Sequence, residues 1–350
     1  MPALSQEICS ATGEYASRPL RVGIPKNRQS EQQFSIWLSR RPIKRRQRVK
    51  LSIIGGGRVG RVLGVLARRA GYEIGEVVCR SRPPAADAVR FIGSGHASDI
   101  ITSAVFDSDV VIISVVDAAI SPTARLLARV YRSEPGGEGV ASNKKKVVLH
   151  TSGALSSDQL APLHKKKLAV GSCHPLQTFE DPARAINRIA NTYFSVEGDK
   201  EAVRCARRFV KDVGGKSFVV PSEIKGLYHA SAVLASGGLV ALLSVCSEFL
   251  TTCGLSEREA ITVLLPLVQG TVENIGRVGI KDALTGPVRR GDIGTIAKNI
   301  ASIDSHHSQW VELYRILASR SVDIVGRGGK SKQSVARLRR AIETPIRIKD

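Results

Sequence analysis

Residues 49–74 read VKLSIIGGGRVGRVLGVLARRAGYEI. A short apolar run ends on three glycines, and apolar side chains then recur at helical spacing, which predicts a strand, a tight turn and an amphipathic helix. Gly55, Gly57 and Gly60 stand in G-x-G-x-x-G spacing in that context, with Arg58 and Val59 between them. The first glycine permits the turn, the second lets a pyrophosphate approach the backbone, and the third brings helix against strand; the helix N-terminus then faces the negative charge. The stretch therefore predicts a dinucleotide site, against the plainer reading of a glycine turn kept for packing.

The same texture continues outward. GEVVCRSR, SDVVIISVV, KKKVVLHTSG, KLAVGSCHP, NTYFSVEG and KSFVVP read as strands, with helical stretches such as DKEAVRCARRFVKDVGG between some of them. That alternation predicts an α/β fold with a Rossmann-like, doubly wound and mostly parallel sheet. After Pro221 the strands stop. Residues 222–254 read as one long, nearly all-round apolar helix, and a second helix opens with a capping box from Ser256 to Glu259 and should kink at Pro266. The turn LTGPVRRGD and further helices follow, so an all-α C-terminal domain is expected.

Four segments result: a basic N-terminal extension over 1–48, a nucleotide-binding domain over 49–221, a helical substrate and dimerisation domain over 222–326, and a basic tail over 327–350. Residues 133–146, SEPGGEGVASNKKK, read as an exposed insertion. Helices this apolar read as buried rather than membrane-spanning, because glycines and serines interrupt them, and they predict a homodimer built on the helical domain.

The net charge of +21 is unevenly placed. Residues 1–50 carry eleven Lys/Arg against three Glu, and residues 326–350 carry eight against two acids, leaving +7 for the rest. The excess thus sits in end segments without apolar period, read as poorly ordered, solvated tails in preference to a nucleic-acid or anionic-membrane tether. Six scattered cysteines show no metal-ligand spacing and no disulfide framework, which fits a reducing, cytoplasmic compartment. The N-terminal extension leaves organelle targeting open.

The end of the second strand chooses the cofactor. An acid there would hold a ribose 2′-hydroxyl, whereas Arg80, Ser81 and Arg82 suit a 2′-phosphate, so NADP is favoured over NAD. A solvated loop edge beside Pro83 and Pro84 is the plainer alternative.

With GGGRVG, VLHTSGALSSDQLAPL, CHPLQTF, IKGLYHASAVLAS, LLPLVQGTVENI and LTGPVRRGD in this order, residues 49–325 resemble the Rossmann-like proteins that carry a C-terminal domain of unknown function 2520. These are relatives of pyrroline-5-carboxylate reductase, ketopantoate reductase and the β-hydroxyacid dehydrogenases. The resemblance implies an NADP-binding domain, a helical domain that dimerises and a cleft between them. One departure is visible: Gly237 stands where such proteins usually carry an Asn.

In the related dehydrogenases a Lys and an Asn one helical turn apart face the nicotinamide and the substrate carbonyl. Lys225 and His229 match that turn, which implies a partly desolvated lysine as proton donor and a histidine relay. A surface lysine and a core histidine are the alternative. Ser152 and Gly153 follow a strand's C-terminal end, where ligands sit in open α/β sheets, and either hold a substrate or simply start the next helix. His150, inside that strand, reads as structural. In LTGPVRRGD, Thr285 and Arg289 offer a clamp for an acidic substrate, and an Arg–Asp pair locking the loop competes with that reading. In GSCHPLQTF, His174 with Gln177 and Thr178 would contact substrate where the cleft opens. The leading expectation is an NADP-dependent oxidoreductase reducing C=O or C=N of a small carboxylated metabolite. A prephenate or arogenate dehydrogenase-like enzyme and a non-catalytic NADP-binding sensor or scaffold are the alternatives.

Overall fold

The computed structural model describes residues 49–131, 145–190 and 192–344. The N-terminal extension, most of the 133–146 insertion and the last six residues lie outside the described residues. Eight strands form one sheet in the order β3-β2-β1-β4-β5-β6-β7-β8. They are β1 (Lys50–Ile54), β2 (Glu73–Val78), β3 (His96–Ser98), β4 (Val110–Ile113), β5 (Val147–His150), β6 (Ala169–Pro175), β7 (Tyr193–Gly198) and β8 (Lys216–Val219). All neighbours run parallel except β6 and β7. The order turns back on either side of β1, so a crevice opens at the C-terminal ends of β1 and β4, the place where such sheets bind ligands.

Helices cover both faces because each central strand is apolar on both sides. Leu51 and Ile53 of β1 pack on α1 (Arg58–Arg69), α2 (Arg82–Ile92) and α6 (Lys200–Asp212) through Leu63, Ile92 and Phe209. On the opposite face Ile54, Val111 and Ile113 meet α3 (Asp117–Val130) and the single turn α4 (Ala161–His164). Short α5 (Pro182–Asn187) joins the first layer through Ala185 and Ile186.

Beyond β8 the chain is helical. The stretch read as one long helix is two, α7 (Lys225–Ala235) and α8 (Gly237–Thr252), separated at Ser236, whose ψ of −78° departs from helical geometry. α9 (Glu257–Ala283) begins with the expected capping box, but its break falls at Gly279, with φ of 79°, and not at Pro266. α10 (Gly286–Arg290), α11 (Ile293–His307) and α12 (Val311–Arg327) close a small core around Ile296, Ile300 and Val322. The C-terminal stretch read as a poorly ordered tail instead forms α13 (Lys332–Glu343), which buries Leu338 and Ile342 in that core. Its apolar residues recur at helical spacing beneath the charge, and that spacing wins.

Candidate functional site

The glycine loop departs from β1 as the spacing requires. Gly55 has φ of 105°, and a side chain there would collide with the Ser114 carbonyl at the end of β4. A Cβ on Gly60 would strike the Gly55 carbonyl, so this glycine lets α1 sit close against the strand. Around Gly57 there is open space instead, and no acid stands in the first turn of α1. The first N–H groups of α1 and the positive end of its dipole thus face an open surface, the arrangement that suits a phosphate group. Arg61 fixes the loop by donating from Nε to the Gly56 carbonyl at 2.8 Å, which leaves exposed Arg58 at the rim.

At the end of β2 the Cys79 N–H continues the ladder to Ser98, and its sulfur accepts from the Gly56 N–H at 3.2 Å. Arg80, Ser81 and Arg82 follow, all exposed, and neither arginine forms an ion pair among the described residues. No carboxylate occupies the ribose position, so the residues present fit a phosphorylated adenosine.

The ends of β5 and β6, with antiparallel β7 beside them, build the floor of the candidate site. Antiparallel register sets Ser172 opposite Glu197 and His174 opposite Ser195, and the two-residue period puts all four on one face. Lys225, the first residue of α7, drives its side chain onto that face and is 1% exposed. Its Nζ donates to Ser172 Oγ at 2.6 Å and to the Ser152 carbonyl at 3.2 Å, and lies 3.7 Å from Glu197 Oε2. Glu197, 6% exposed, also accepts from Ser172 Oγ at 3.1 Å and from the Ser157 hydroxyl at 2.6 Å. Burial lowers the Lys225 pKa and the Glu197 charge opposes that shift. The ammonium therefore makes two hydrogen bonds to the sheet side, and Glu197 balances its charge. The lysine expected to face substrate is a buried tie between sheet and helix.

One turn further along α7, Tyr228 and His229 reach the same floor. The Tyr228 hydroxyl lies 2.8 Å from His174 Nδ1, with the rings edge to face at 5.7 Å. His174 and His229 meet edge to face at 5.8 Å. Among the described residues His229 Nδ1 is buried with no hydrogen-bond partner, and the Ser195 hydroxyl, buried beside Tyr228, has none in good geometry. Both imidazoles close over Gly153: a Cβ there would lie 2.6 Å from His229 Nδ1 and 2.9 Å from His174 Nε2. Burial, assisted by His229 and Lys225, pushes His174 down to about 4, so it is neutral at physiological pH. Tyr228 is held above its usual value, also by burial.

His150 accepts from the Ser152 N–H at Nδ1 and contacts the Ser156 carbonyl through Nε2, which fixes its proton on Nε2. Burial pushes it down to about 3. The Ser152 hydroxyl donates to Asp117 at 2.9 Å and accepts from the Ala154 and Leu155 N–H groups, so it shapes the turn at the cleft. Gln177 bridges Thr192 and the Ala185 carbonyl and locks the loop after β6, while Thr178 stays exposed.

The structure thus brings Ser152, Gly153, His174, Lys225 and His229 together and leaves Thr285 and Arg289 elsewhere in the chain. Thr285 borders an apolar hollow of the helical region with Phe249, Trp310 and Tyr314, and Arg289 pairs with Asp282 at 3.8 Å. Gly237 starts α8 in open space, where a larger side chain would meet nothing. Tyr228, Glu197 and Ser195 escaped the sequence reading. Tyr228 stood within a quoted motif, and its i+3 spacing from Lys225 was the available signal.

Residues 39–175 match the Rossmann-like domain family, and residues 192–321 match the family described as Domain of unknown function (DUF2520). No curated protein matches the chain. Among solved structures, protein TM1727 from Thermotoga maritima is 27% identical with a TM-score of 0.63, covering 80% of this chain and 100% of its own. An imine reductase from Myxococcus stipitatus in complex with NADP+ is 17% identical, TM-score 0.54, covering 83% and 99%. A pyrroline-5-carboxylate reductase from Coxiella burnetii is 16% identical, TM-score 0.51, covering 84% and 98%. The last two share the fold.

Proposed function

We infer that this chain, a Rossmann-like domain joined to a domain of unknown function 2520, is an NADP-dependent oxidoreductase that reduces a C=O or C=N bond of a small metabolite. The observation that carries this reading is the neutral His174–Tyr228 pair closing with His229 over Gly153, at strand ends that continue from the glycine loop. An imine reductase and a pyrroline-5-carboxylate reductase of the same fold support the reaction class, and the NADP+ held by the former supports the cofactor.

Gly55, Gly57 and Gly60 would hold the cofactor's pyrophosphate and Arg80, Ser81 and Arg82 its adenosine phosphate; the chemistry such a group would supply is a hydride. The chain supplies the proton. Tyr228 donates its hydroxyl proton to His174 Nδ1, so the imidazole carries hydrogen on Nε2, the atom turned toward Gly153. That Nε2 proton would pass to the substrate oxygen or nitrogen, the Tyr228 proton would move to Nδ1, and solvent would return a proton to the tyrosine oxygen before the next cycle. His229 Nδ1 orients the ligand by a bond it lacks in the protein alone. Lys225 and Glu197 hold the floor without touching the reacting atoms.

The same reading includes a homodimer. Leu227, Leu234, Val240 and Leu267 on α7, α8 and α9 are 74%, 73%, 70% and 69% exposed, forming an apolar surface of the kind a second copy covers. By length and composition alone, Ser222–Thr252 could cross a bilayer, yet it is divided at Ser236 and its Lys225 is fastened into the sheet. The test is NADPH consumption by the purified protein over a panel of ketones, keto acids and cyclic imines. Turnover abolished by His174→Ala supports the reading, and tight NADPH binding without turnover on any compound turns it toward a sensor.

A further inference from the structure

We propose that Lys225 is a positioning residue acting through the Ser152–Gly153 peptide, whose Gly153 N–H is the cleft's donor to a ligand oxygen bearing negative or developing negative charge. The proposal rests on the reading of this cleft as a carbonyl-reducing site.

Three observations carry it. The Ser152 carbonyl accepts from the Lys225 ammonium at 3.2 Å, in a spot from which water is excluded. The peptide is trans, so the Gly153 N–H points opposite to that carbonyl, away from the ammonium. Among the described residues, that N–H has no hydrogen-bond acceptor, although Gly153 is buried and the N–H groups on either side, of Ser152 and Ala154, are both paired. A buried, unpaired N–H is costly, which fits an acceptor that comes with the ligand. A cation on the carbonyl end polarises the peptide and strengthens donation from the other end. Glu197 and Ser172 keep the ammonium aimed at that carbonyl. The lysine charge thus reaches the ligand through one peptide unit. The acceptor is an oxygen of the substrate or the carboxamide oxygen of the cofactor, and the two arms below tell them apart.

The test follows the Gly153 amide directly. Serine labelled at the carbonyl carbon and glycine labelled at nitrogen mark three Ser-Gly pairs in the full chain: Ser94–Gly95, Ser152–Gly153 and Ser236–Gly237. NADP+ is added first, then acetate as a carboxylate probe of the oxyanion. The Gly153 signal should shift saturably with one of them. Lys225→Met combined with Glu197→Gln, which removes both buried charges together and preserves packing, should weaken that binding about tenfold, equivalent to about 1.4 kcal/mol. If acetate is the responding ligand, NADP+ affinity should stay within about twofold. A Gly153 signal unmoved by either ligand overturns the proposal, as does equal binding by wild type and double variant. Absence of NADPH-dependent turnover alongside the expected amide response would retire the reductase reading and leave the peptide site standing.

Discussion

Gly153 and His229 exclude one another's alternatives: the ring nitrogen Nδ1 of His229 lies 2.6 Å from the point where any side chain on residue 153 would begin. Gly153→Ala should push His229 and His174 off the strand end. A displacement near 1 Å costs about a hundredfold in rate where geometry controls the reaction. The expected outcome is a kcat loss of roughly that size with NADPH affinity retained, measured by steady-state kinetics beside a fluorescence titration.

Lys225→Met should destabilise the protein by about 3–5 kcal/mol, because Glu197 is left charged and buried. Glu197→Gln alone should also destabilise, and the two together should cost less than their sum. Urea denaturation of the four proteins measures this, and additive losses would show that the pair is not coupled.

His174 and His150 are pushed down to about 4 and about 3 from 6.5, so the unfolded chain binds more protons than the folded one below pH 6.5. Stability should therefore be complete above that pH and fall as pH drops from 6.5 toward 4, with a further loss to 3. For His174 the loss is on the order of 3 kcal/mol. Melting temperature against pH, with His174→Asn flattening the upper part of the curve, is the check.

Arg80→Glu with Arg82→Glu should weaken NADPH binding at least about tenfold and leave NADH within about twofold, since only NADPH carries the 2′-phosphate. Equal losses for both cofactors would place the arginines elsewhere on the nucleotide.

Leu234→Asp with Leu267→Asp puts charge on the apolar faces of α7 and α9. Sedimentation should then show a dimer for wild type and a monomer for the variant; a monomeric wild type removes the dimer.

The sheet was legible because buried parallel strands are continuous apolar runs, and VVII and VVLH need no partner to be recognised. Helix α2 was harder. Its RPPAAD opening reads as a turn until the prolines are seen to occupy first-turn positions, where no N–H is needed. Glycine spacing gave the loop but not the charge network, because Glu197 and Lys225 are 28 residues apart and only the antiparallel return of β7 brings them together. An ion pair of that kind leaves no periodic trace. The burial of Lys225 was hidden for a related reason: a lysine opening an apolar helix looks the same in sequence whether it meets solvent or a carboxylate.

Lys225, Tyr228 and His229 share a single turn of α7, the first as the strut into the sheet and the others over Gly153. Anchorage and chemistry are therefore not separable by evolution at this turn. A substitution that retunes Tyr228 or His229 also shifts the element that fastens the helical region to the sheet. Diversification of ligand preference has freer ground at positions that no hydrogen-bond network ties down, such as Thr178, exposed on the loop after β6. Libraries randomised at Thr178 should retain more folded members than libraries randomised at Tyr228.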